Sequence, residues 1–77
     1  MNTIKDEWNN YKDAIVPGDA GIIQVNETRK AFYAGVKSTL EFIHGLDEYT
    51  DDAAEALFES WCDEVMAFAE RVLKEEV

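Results

Sequence analysis

The chain has 77 residues, 47% of them hydrophobic and 31% charged, and a formal net charge of −10. That length allows one domain, residues 1–77, with a marginal core, because so short a chain buries only roughly 60% of the surface it could expose. The lone cysteine, Cys62, excludes an intrachain disulfide, and the acidity argues against direct binding of nucleic acid or an anionic membrane, since both need clustered Lys and Arg.

The start, MNTIKDEWNN, has no apolar stretch of the kind a signal peptide carries, and no run reaches the ~20 apolar residues of a membrane span. A single thiol suits a reducing compartment. The expectation is a soluble, cytoplasmic protein.

The first predicted helix runs from about Ile4 to Ile15. Ile4, Trp8, Tyr11 and Ile15 recur at helical spacing, Thr3 is a suitable N-cap with Asp6 three residues on, and Pro17-Gly18 ends the segment. The second helix starts between Asp19 and Asn26, either of which is a suitable cap, and runs to about His44. Its apolar stripe is Val25, Phe32, Val36, Leu40 and Ile43, and Gly45 is a natural residue just past the end. Thr50 caps the third helix, with Asp51 and Asp52 on its positive end. Ala54, Leu57, Phe58, Trp61, Val65, Phe68, Ala69 and Val72 follow at threes and fours, and Cys62, Met66 and Leu73 widen the face. Cys62 therefore reads as a buried, inert thiol. The expected fold is all-α: a small three-helix protein with two long antiparallel helices and a shorter N-terminal one. The third helix's apolar face is wider than two partner helices need, which predicts a homo-oligomer.

Charge is unevenly distributed. Residues 24–45 carry Arg29, Lys30 and Lys37 against Glu27 and Glu41, a net charge of +1, whereas residues 46–77 sum to −9. The basic third contains RKAFYAG, Arg29 to Gly35. Ala31 and Phe32 are assigned to the core. Arg29, Tyr33 and Lys37, at i, i+4 and i+8, form one ridge beside it. Gly35 costs about 1 kcal/mol relative to alanine inside a helix, a cost that close packing against it would offset. The ridge either pairs with the acidic third helix or presents an anion and ring platform, in which a guanidinium holds a phosphate and a phenol stacks on a base.

A second candidate surface is the carboxylate row Asp52, Glu55, Glu59 and Asp63, which imitates a phosphate backbone or simply faces solvent. Glu41 and His44 have a Glu-x-x-His spacing, but one copy pointing off the stripe does not make a metal site. The sequence offers no nucleophile with a base, no phosphate loop and no paired cysteines, so no catalytic residues, metal or cofactor are expected.

Gln24, Glu27, Arg29, Ala31, Phe32, Tyr33 and Gly35 form a Q-x-x-E-x-R-x-A-F-Y-x-G pattern, preceded by Trp8, Tyr11, Val16, Pro17, Asp19 and Ala20. Over roughly residues 5–45 the chain resembles small proteins encoded by tailed phages and prophages. It departs from them at Gly21, Ile22 and Ile23, where those proteins tend to carry a polar residue or proline. The resemblance implies no catalytic residues. It implies an accessory protein in the host cytoplasm that counters host defence. One way is to sequester a cyclic nucleotide or ADP-ribose-type signal in a homo-oligomer, through Arg29, Tyr33, Lys37 and Gly35. Another is to block a basic host protein through Asp52, Glu55, Glu59 and Asp63. A structural or morphogenesis role is a third.

Overall fold

The computed structural model describes residues 2–74, and these are helical without strands. Helix α1 spans Ile4–Ile15, α2 spans Ile22–Gly45, a 3-10 turn covers Leu46–Glu48, and α3 spans Asp51–Leu73. A shorter N-terminal helix is thus followed by two longer ones. None of the described helices is long and apolar enough to cross a membrane. The chain divides into two compact units, Met1–Leu40 and Glu41–Val77.

Local chemistry sets the ends of α1 and α3. Thr3 Oγ1 accepts the Asp6 N–H at 3.1 Å while Asp6 Oδ2 accepts the Thr3 N–H at 3.0 Å, a reciprocal capping box. Thr50 Oγ1 accepts the Ala53 N–H at 3.2 Å. The chain leaves α1 at Val16 in an extended conformation and turns at Pro17, whose carbonyl accepts the Ala20 N–H at 3.0 Å.

Helix α2 begins at Ile22, within the expected interval from Asp19 to Asn26, and the Gly21 carbonyl accepts the Val25 N–H at 3.0 Å. Gly45 is not a left-handed stop. Its φ of −67° and ψ of −18° are right-handed, because the backbone tightens into the 3-10 turn instead of reversing.

In the first unit α1 packs on α2 through aromatic rings. Trp8, only 4% exposed, is the one buried residue among those described. Its ring centroid lies 5.6 Å from Phe32 and 6.2 Å from Tyr11, and Tyr11 lies 5.5 Å from Phe32. Val25, Thr28, Phe32 and Val36 are the half-buried positions of α2 here, one helical stripe. Ala31 is exposed, contrary to the core assignment, because it sits a third of a turn off that stripe.

From Leu40, the last residue of the first unit, onward the stripe expected from sequence does not continue. Leu40 and Ile43 are exposed, while Phe42, Gly45 and Leu46 are half-buried. Phe42 stacks on Trp61 with centroids 3.8 Å apart and planes 13° from parallel. Along α3 only Ala53, Ala54 and Leu57 are half-buried. Phe58, Trp61, Val65, Met66, Phe68, Val72 and Leu73 are exposed. Cys62 is exposed as well, which corrects the buried-thiol reading: it lies on the apolar side of α3, but nothing in this unit covers that side.

Candidate functional site

The first unit carries a groove of about 560 Å³ along α2, lined by Ile23, Asn26, Glu27, Arg29, Lys30 and Tyr33. All six come from one helix, at spacings of three and four residues that set neighbouring side chains along its surface. Tyr33 is positioned by the core beside it. Its ring meets Phe32 edge-on, centroids 6.0 Å apart, and Tyr33 stays 37% exposed. One side of the phenol is thus anchored and the rest is available.

The charges are partly matched. Lys30 Nζ lies 3.2 Å from Glu27 Oε1, an exposed pair worth at most about 1 kcal/mol. Arg29 has no ion pair among the described residues. Its guanidinium offers two parallel N–H groups to a phosphate or carboxylate, Asn26 offers an amide, and Tyr33 a ring. The volume falls within the 300–1,000 Å³ common for small-molecule sites.

Of the residues singled out from sequence, Arg29 and Tyr33 line this groove together. Lys37, one turn further along α2, is exposed and already engaged in an interaction. Gly35 is exposed, and a Cβ built there would meet no atom within 4 Å, so none of the described residues packs against it. Asn26, Lys30 and Ile23 were not singled out. Lys30 and Asn26 flank the ridge at i+1 and i−3 from Arg29, and Ile23 lies a further three residues back, positions that a search along one i, i+4 row passes over. Asp52, Glu55, Glu59 and Asp63 are all exposed on α3. Among the described residues no three His, Cys, Asp or Glu side chains converge as metal ligands.

In comparisons with family models, curated proteins and solved structures, nothing matches this chain.

Proposed function

We propose that this is a non-enzymatic binding protein that sequesters a nucleotide-type signal in a homo-oligomer. Arg29 holds the phosphate and Tyr33 stacks on the base. The observation that carries this reading is their convergence, with Asn26 and Lys30, on a groove of about 560 Å³. The groove has a single helical wall, and a ligand needs more enclosure than one wall gives. A second copy facing α2 supplies the other side, and Lys37 then extends the basic edge. The phage origin, the counter-defence role and the host-cytoplasm location follow from the resemblance over residues 5–45.

A thermal-shift screen against cyclic di- and trinucleotides and ADP-ribose derivatives tests the reading. A ligand at 100 times its Kd adds about 2.7 kcal/mol, a rise of roughly 10 °C or more for a chain of this length. Arg29→Ala and Tyr33→Ala should abolish that rise with helical content unchanged; a rise that survives both substitutions places the ligand elsewhere. The exposure of all four carboxylates on α3 favours the second reading, an acidic surface that blocks a basic host protein. A flat screen together with salt-sensitive capture of such a protein would select it.

A further inference from the structure

We infer that the exposed apolar seam of α3 from Trp61 to Val72 is covered by α3 of a second copy, running antiparallel. The inference deepens the oligomer part of the proposal above, and it stands apart from the ligand part.

Three observations carry it. The first is spacing. Ala54, Phe58, Trp61, Val65, Phe68 and Val72 are separated by four, three, four, three and four residues. That alternation keeps the apolar side chains on one face along the length of the helix, a face that packs on another helix. Yet Val65 is 64% exposed and Phe68 53%. Trp61 marks the border, stacked on Phe42 of its own chain but still 39% exposed.

The second is coverage. Within α3 only Ala53, Ala54 and Leu57 are half-buried, while Val65 and Met66 are 64% and 65% exposed and Leu73 is 84% exposed.

The third is charge, and it chooses the direction. In a two-fold antiparallel pair, let Val65 lie opposite the partner's Phe68 and Trp61 opposite the partner's Val72. The flanking positions then bring Glu64 opposite the partner's Arg71, twice by symmetry. On the other flank Cys62 faces the partner's Ala69, small against small. The acidic first turns, with Asp51, Asp52 and Glu55, point to opposite ends of the pair. A parallel pair would instead lay each of these acids beside its own copy.

Size-exclusion chromatography with light scattering on the full chain tests this. Wild type should run at no less than twice 8.8 kDa. Val65→Asp combined with Phe68→Asp should fall to the monomer mass; both sites are exposed in the single chain, so its helices have no need of them. A monomeric wild type, closed by its own two units, overturns the inference, and so does a variant that keeps the wild-type mass. Charge reversal tests the register. Glu64→Arg lowers the net charge from −10 to −8. Simple relief of repulsion would tighten association, whereas facing the partner's Arg71 loosens it. We expect dissociation at several-fold lower dilution, restored by adding Arg71→Glu. Tightening by Glu64→Arg, or no restoration by the double exchange, overturns the antiparallel register.

Discussion

The two units of this molecule use the same kind of helix and reach opposite outcomes. In Met1–Leu40 a 12-residue helix with four large apolar side chains buries Trp8 and half-buries the stripe it faces. In Glu41–Val77 a 23-residue helix with a wider apolar face half-buries two alanines and a leucine. Partner length, more than composition, separates them. Helix α1 is ~18 Å long and lies on a stretch of α2 at least as long. Helix α3 is ~35 Å long, and within its unit it has only the last turn of α2 and the 3-10 turn to lie on. An apolar stripe states what a helix must bury. The length of its partner decides how much of that a single chain can bury.

The comparison breaks hardest at Trp8. It is the one buried residue described and touches both Tyr11 and Phe32, so Trp8→Ala removes the centre of the first unit. Replacing a buried tryptophan by alanine costs about 3–5 kcal/mol, which in a chain this short lowers Tm by roughly 12 °C or more. Phe42→Ala, in the second unit, removes a half-buried ring from one stack and should cost about half as much. Circular dichroism melts of the two variants rank the units. A Phe42 variant that melts below the Trp8 variant would show that the second unit, not the first, holds the stability.

A smaller effect sharpens the contrast at the helix starts. Thr3 sits in a reciprocal box with two bonds, and Thr50 accepts one. Removing a cap costs about 1 kcal/mol, so Thr3→Ala and Thr50→Ala, each losing one side-chain acceptor, should each lower Tm by a few degrees. The second bond of the box runs from the Thr3 backbone N–H to Asp6, so Asp6→Ala added to Thr3→Ala should lower Tm further; no further loss would mean that the Asp6 carboxylate adds nothing to its half of the box.

These caps were legible in the sequence because capping is a local contest among a few neighbouring groups. Thr3, Ile4–Ile15, Thr50 and Asp51 stand where the spacing put them. The misreadings have other causes. Those of Cys62 and Ala31 follow from helical phase or residue type, and burial depends on what lies opposite; that of Gly45 follows from residue type alone, and the backbone there tightens into a 3-10 turn instead of reversing. Phe42 was missed for the same reason as Cys62 and Ala31: Leu40 and Ile43 continue the Val25–Val36 stripe in helical phase, yet both are exposed while Phe42 is half-buried on Trp61. The site was legible as a ridge and not as a groove. A row at i and i+4 finds Arg29 and Tyr33, while the volume beside them also needs Ile23, Asn26 and Lys30.

The smallest expected effect is the one that best separates a free surface from an occupied one. Gly35 lies inside α2, its carbonyl accepts the Thr39 hydroxyl at 2.9 Å, and an added Cβ meets nothing within 4 Å. In the single chain, Gly35→Ala should therefore stabilise the helix by about 0.5–1 kcal/mol, because alanine loses less backbone freedom on folding. Tm should rise by a few degrees. If a second copy or a ligand approaches α2 closely there, the same methyl group collides with it. Tm should then stay level or fall, and the loss should grow with protein or ligand concentration. Glycine at this position is unfavourable for the isolated helix, so a stabilising alanine would leave it without a packing role. A destabilising one would show that a second copy or a ligand packs closely on α2 at Gly35.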